Sequence, residues 1–128
     1  MPVVKQIRVS LKSRPGALAE LCTELAKRAV NISAIQAVES APDTIRLVVN
    51  PLDVAKKICE GLQLTVREEP AIAANLADRP GSLGRLTRKL ADHKINIEYI
   101  YGTIEAKSKK ALIILGVADV QAAARVLR

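Results

Sequence analysis

Few residues of this chain are equipped for covalent chemistry. Its 128 residues include one histidine, two cysteines, two tyrosines and no tryptophan or phenylalanine. His93 falls at the end of a predicted helix, a place for a cap or for solvent exposure, and without it no Ser-His-Asp set can be assembled. There is no Gly-rich phosphate loop and no carboxylate cluster at metal-ligand spacing, so no metal, no cofactor and no enzymatic activity are expected. Cys22 and Cys59 are too far apart in sequence for a redox or metal motif, and Cys22, in the apolar series Leu18, Leu21, Cys22, Leu25, reads as a buried reduced thiol. Glu68 and Glu69, beside Pro70, read as a charged strand edge rather than an acid-base pair. What remains is chemistry of binding. Ser13-Arg14-Pro15-Gly16-Ala17-Leu18 and Asp78-Arg79-Pro80-Gly81-Ser82-Leu83 each turn the chain into a helix. Such a loop leaves backbone N-H groups at a helix N-terminus, well placed for a carboxylate, and glycine lets a ligand come close.

The two loops belong to a longer repeat. Residues 14–35 and 79–100 correspond at a constant offset of 65 (79 − 14), without a gap. In each, Arg-Pro-Gly-x-Leu leads through a helical leucine series to Val30-Asn31-Ile32 or Ile95-Asn96-Ile97. A period this long, occurring twice, indicates two copies of a small domain, here 1–69 and 70–128, rather than a solenoid. Domains of about 60 residues bury only about 60% of their unfolded surface, so they are expected to associate. The composition is 49% hydrophobic and almost free of aromatics, which calls for an aliphatic core.

Extended segments are expected at 3–11 and 71–77, strands at 32–38, 44–49, 97–103 and 111–117, and an alternating strand at 63–68. Turns are expected at Ser40-Ala41-Pro42-Asp43 and Ala106-Lys107-Ser108-Lys109. Asp53 and Asp119 are candidate N-caps of second helices, which turn Val54, Ile58 and Leu62, and Val120, Ala124 and Leu127, inward. The fold class is α+β: two ferredoxin-like β-α-β-β-α-β domains, each an antiparallel sheet with helices on one face. The second repeat stops after its second helix, so its last strand is absent from its own sequence. Because only Glu69 and Pro70 join 63–68 to 71–77, one expectation is that 63–68 folds back to serve as the second domain's last strand.

This topology, with Arg-Pro-Gly-x-Leu before a helix and Val/Ile-Asn-Ile after it, resembles the ACT domain, and the whole chain resembles stand-alone tandem-ACT proteins. The resemblance implies an amino-acid-binding regulatory protein whose ligand lies where two ACT domains pack side by side. Transferred by position, the ligand-binding residues are Ser13, Gly16, Ala17, Leu18, Asp78, Gly81, Ser82 and Leu83 from the loops, with Asn31, Ile32, Asn96 and Ile97 from the second strands. The family commonly has Asn or Asp before Arg-Pro-Gly. Asp78 keeps this pattern and Ser13 departs from it, so unequal pockets are expected, with Asp78 facing Asn31, or facing Asn96 where like domains meet between chains.

A homodimer, a small-molecule amino acid and a regulated metabolic enzyme are the implied partners. Two other readings stay open: a dimerisation or adaptor module without ligand, and an RNA-binding protein of the same topology. The net charge of +7 favours an anionic partner, but the basic residues are scattered, and only Tyr99 and Tyr101 could stack on bases, so nucleic acid is not the expected partner. No apolar run approaches the roughly 18 residues of a membrane span, and the start lacks the apolar stretch of a signal, so a cytoplasmic location is expected.

Overall fold

A computed structural model describes residues 2–105, 107 and 109–128. The elements run β1 (Val3–Ser10), α1 (Ala17–Lys27), β2 (Asn31–Val38), β3 (Ala41–Asn50), α2 (Leu52–Gly61), β4 (Thr65–Ala77), α3 (Ser82–Asp92), β5 (Tyr99–Glu105), β6 (Lys110–Gly116) and α4 (Val120–Val126). The chain divides into two compact units, Lys5–Glu69, and Met1–Val4 with Pro70–Arg128.

In the Lys5–Glu69 unit the strand order is β2-β3-β1-β4. β1 and β3 pair antiparallel with Ile7 opposite Leu47 and Val9 opposite Ile45. Strand alternation then sends these four residues to one face, where they bury against Leu21 and Leu25 of α1 and Ala55, Ile58 and Cys59 of α2. Truncating a side chain as enclosed as Leu25, which has no exposed surface, costs about 2 to 5 kcal/mol in a core of this kind. The other face is polar. Glu69 accepts from Arg46 Nε at 2.8 Å and from the fully buried Gln6 amide at 3.1 Å, while Arg46 Nη1 donates to Gln36 at 2.9 Å. Arg8 lies 3.6 Å from the same carboxylate. These bonds satisfy a buried amide that would otherwise be costly to desolvate.

In the other unit the order is β4-β6-β5, and Ile72, Ala74 and Leu115 of the sheet bury against Leu86 and Leu90 of α3 and Val120 and Ala123 of α4. The place of a last strand beside β4 is taken by the chain's N-terminal residues: the Ala73 N-H donates to the Pro2 carbonyl at 3.0 Å, and Val3 packs on this core. The exchange expected for 63–68 does not occur. β4 is one continuous strand through Pro70, and its first residues lie beside β1 in the Lys5–Glu69 unit. Proline's fixed φ is compatible with extended backbone, so Glu69-Pro70 needs no turn.

Several local expectations are corrected. Asp53 is not an N-cap: Pro51 occupies that position of α2, and Asp53 sits in the first turn, where its charge still complements the helix dipole. Asp119 does cap α4, accepting from the Ala122 N-H at 3.0 Å. Cys22 is half-buried, and the fully buried thiol is Cys59. Leu18, Leu62 and Leu83, expected inside, are exposed: the buried stripes run at i, i+4 through Ala17, Leu21 and Leu25 in α1 and through Leu86 and Leu90 in α3, which leaves Leu18 and Leu83 to one side, and Leu62 follows the end of α2. β3 begins at Ala41, paired with Val38, which shortens the turn expected at 40–43. β5 begins at Tyr99, leaving Asn96 and Ile97 before the strand. The turn expected at 106–109 includes Ala106 and Ser108, which lie outside the described residues. No helix among the described residues is long and apolar enough to cross a membrane.

Candidate functional site

The two loops share a backbone. Gly16 and Gly81 are the N-caps of α1 and α3 at φ 87° and 91°, in the left-handed region where glycine alone is unstrained, and neither helix start has a side-chain cap. Each cap carbonyl accepts the first helical bond, from Glu20 N-H and Arg85 N-H respectively, both at 2.9 Å. The first N-H of each helix donates to a loop carbonyl, Ala17 to Arg14 and Ser82 to Arg79, both at 3.2 Å, and the next N-H groups of each first turn have no side-chain cap.

The surroundings of the loops differ. Beside the second loop lies a cavity of about 540 Å³, lined by Asp78, Arg79, Ser82 and Leu83 on the loop side and on the sheet side by Leu76 and Ala77 of β4 with the β5 and β6 residues Ile100, Tyr101, Gly102, Thr103, Ala111 and Ile113. Asp78 and Arg79 put opposite charges on this lining, and among the described residues neither side chain has an ion pair or hydrogen bond. The loop is fixed through its backbone instead, by the Asp78 N-H donating to the Lys109 carbonyl at 2.7 Å.

The first loop is already bonded to its own chain. Asp43 of β3 accepts the Ser13 N-H on its carboxylate at 2.7 Å, and Arg14 pairs with Glu20 at 2.9 Å. The cavity here is about 140 Å³ and lies between the loop and the end of α2, lined by Leu11, Lys12, Arg14, Ala17, Glu20, Leu21, Leu62 and Leu64. The register shows what has changed: Leu76 pairs with Ala111 in the second repeat, while the equivalent Leu11 N-H donates to the Asp43 carbonyl in the first. An alanine stands where the first repeat has a carboxylate.

Of the residues proposed from sequence, Asp78, Ser82 and Leu83 come together on the larger cavity and Ala17 on the smaller. Gly81 and Gly16 open onto separate surface grooves, with Arg85 and Arg88 beside the one and Glu20 and Glu24 beside the other. Ser13, Leu18, Asn31, Ile32, Asn96 and Ile97 line neither cavity; Asn31 opens β2 opposite Asn50. The sequence reading missed Arg79 as a lining group, the sheet wall from Ile100 to Ile113, and Asp43. Arg79 is in the loop itself, and only strand register brings the sheet wall and Asp43 to the loops, although the change from Asp43 to Ala111 is visible once the repeats are aligned.

Three other polar side chains singled out in the sequence have contacts of their own, Tyr101 while also lining the larger cavity. His93 Nδ1 lies 2.9 Å from the Lys89 carbonyl at the end of α3. The Tyr99 and Tyr101 rings stack on each other with centroids 6.5 Å apart. Among the described residues no three His, Cys, Asp or Glu side chains are grouped as a metal site would need.

The family model for the ACT domain matches residues 5–57 and 72–128. Among solved structures, a protein from Bacteroides thetaiotaomicron is similar over 98% of this chain and 86% of its own, at 26% identity and a TM-score of 0.89. The ligand-free regulatory subunit of aspartate kinase from Thermus thermophilus aligns over 98% of this chain and 95% of its own at 21% identity and TM-score 0.63. The corresponding subunit from Thermus flavus aligns over 98% and 94% at 18% identity and TM-score 0.60. No curated protein matches the chain.

Proposed function

The chain belongs to the ACT domain family, whose model matches both repeats, and on that premise we propose that it is an amino-acid-binding regulatory protein with its competent site at the second loop. The observation that carries this reading is the cavity of about 540 Å³ with the Asp78 carboxylate and the Arg79 guanidinium on its lining. An α-amino acid presents one ammonium and one carboxylate a short distance apart. Asp78 accepts from the ammonium in a charge-assisted bond, and Arg79 with the first-turn N-H groups of α3 receives the carboxylate. The side chain then enters the cavity. The protein changes no bond in the ligand; it converts amino-acid concentration into a more stable bound state, which a regulated enzyme can read.

The functional unit is a homodimer in the cytoplasm, and the regulated partner is a metabolic enzyme. Leu83 and Ile100, exposed at 44% and 40%, flank the cavity beside the edge strand β5, a surface that self-association would cover. Asn96 lies outside the cavity lining of its own repeat, so a part for it in binding requires a second copy of the chain.

A thermal-shift screen of the twenty amino acids tests the reading. A ligand present at 100 times its Kd stabilises the folded state by about 2.7 kcal/mol, enough to raise Tm by several degrees. A rise with one or a few amino acids that disappears in Asp78→Ala is the expected result. No rise with any amino acid, with the protein sedimenting as a folded species, would leave the adaptor reading in its place.

A further inference from the structure

We propose that the second-loop site selects amino acids with bulky apolar side chains, of the branched-chain, methionine or phenylalanine type; this rests on the reading of that site as an amino-acid pocket. The cavity has two chemically different ends. Its charges, Asp78 and Arg79, are both in the loop. Its sheet wall carries no charged side chain: Leu76, Ile100, Gly102, Ala111 and Ile113 share one face by register, and Tyr101 and Thr103, also on the lining, alternate to the other.

The wall belongs to the helix-facing side of the sheet. Ile113 pairs with Gly102 on one side and Ala74 on the other, Ile100 pairs with the buried Leu115, and Leu76 and Ile113 pack on the same core as Leu86 and Leu90. A side chain entering here therefore extends an existing aliphatic core. The room for it lies beside Ala111, whose side chain is a single methyl group; the surface over Gly102 is already covered by Ile113, whose Cδ1 lies 2.5 Å from where a Cβ at Gly102 would stand. In the first repeat the equivalents of Gly102 and Ala111 are Ala37 and Asp43, and the Asp43 carboxylate is turned onto the loop N-H of Ser13. A charge on this wall and an open apolar cavity are thus alternatives, and the second repeat has the cavity.

A polar ligand side chain would lose its water without gaining a partner on the helix-facing side of the wall, since the hydroxyl-bearing Tyr101 and Thr103 alternate to the other side of β5. Two pairs of amino acids probe that penalty: valine and threonine share shape and differ in a hydroxyl, and norleucine is the lysine chain without its terminal ammonium. A hydrophobic pocket discriminates valine from threonine by on the order of a hundredfold at most.

Isothermal calorimetry on the full chain tests the proposal with free valine, leucine, norleucine, methionine, phenylalanine, threonine, lysine, glutamine and aspartate. The expected result is that at least one apolar amino acid binds, with valine over threonine or norleucine over lysine by tenfold or more. Ala111→Asp places on this wall the carboxylate that the first repeat already carries, and it is expected to abolish apolar binding while the circular dichroism spectrum and oligomeric state stay unchanged. Should Ala111→Asp not fold, Ile113→Val provides a second readout, weakening valine and leucine more than phenylalanine by enlarging the cavity. Binding of lysine, threonine, glutamine or aspartate as tight as that of the apolar ligands, and lost in Asp78→Ala, would overturn the selectivity and leave the amino-acid site standing. Binding of none would overturn both.

Discussion

The second loop keeps its charged side chains available and the first spends its own on the fold. The Asp43 carboxylate takes the Ser13 N-H and Glu20 takes Arg14, whereas Asp78 and Arg79 have no such partners among the described residues. With the same Arg-Pro-Gly backbone and glycines at nearly the same φ, the difference lies in the side chains brought alongside by β3 and β6. Two copies of one motif can thus share a backbone while their charged side chains differ in whether the fold engages them. The sheets show a related trade. Tyr99 lies opposite Gly116 in the second repeat, and Ala34 lies opposite Val48 at the equivalent pair of the first, so bulk has moved from one strand to its neighbour.

The sharpest break of this comparison is Asp78→Ala against Ser13→Ala, read by calorimetry with the amino acid that gives the largest thermal shift. A charge-assisted bond contributes about 1.5 to 3 kcal/mol, so Asp78→Ala is expected to weaken binding by roughly tenfold to a hundredfold. Ser13→Ala should change it less than about twofold; the asymmetry fails if the Ser13 change abolishes tight binding and the Asp78 change does not.

Next in size is Gly116→Ala. A Cβ at this position would stand 1.9 Å from the Tyr99 ring, so the ring must move or the strands must part. Overpacking of this kind costs about 1 to 3 kcal/mol, measured as a lower urea midpoint, and Tyr99→Ala in the same chain should restore most of it.

Asp43→Ala should be milder, costing about 0.5 to 1.5 kcal/mol through the lost loop hydrogen bond. Arg14→Ala should cost less than about 1 kcal/mol, because its pair with Glu20 is more than half exposed on both sides. A urea titration in which Arg14→Ala proved costlier than Asp43→Ala would show that the first loop is held by its ion pair and not by β3.

The smallest expected effect is one of pH, and it reports on the first repeat alone, since both cysteines lie there. Burial, and secondarily the Glu60 carboxylate, push the Cys59 thiol up. Its contribution to stability is intact below the unfolded pKa, near 8.5, and is lost as pH rises toward the higher folded value. Stability should therefore decline slightly in mildly alkaline buffer, and Cys59 should react with a thiol reagent more slowly than half-buried Cys22. Equal labelling rates in the folded protein would contradict the burial.

The sequence by itself determined the repeat, the element order and the loop conformation. Arg-Pro-Gly can do little but turn into a helix, and the leucines of α1 and α3 declare their buried faces by spacing, since these are local properties of backbone and periodicity. It also pointed to the inequality of the loops through Ser13 and Asp78. The tertiary structure decided the rest. That Asp43 bonds to Ser13 and that Ala111 stands in the equivalent place depends on strand register, which side-chain alternation constrains but does not fix at a sheet's end. That Pro2 lies beside Ala73, just ahead of β1, depends on a hydrogen bond between residues 71 positions apart (73 − 2), and no local pattern encodes which strand such a segment will meet.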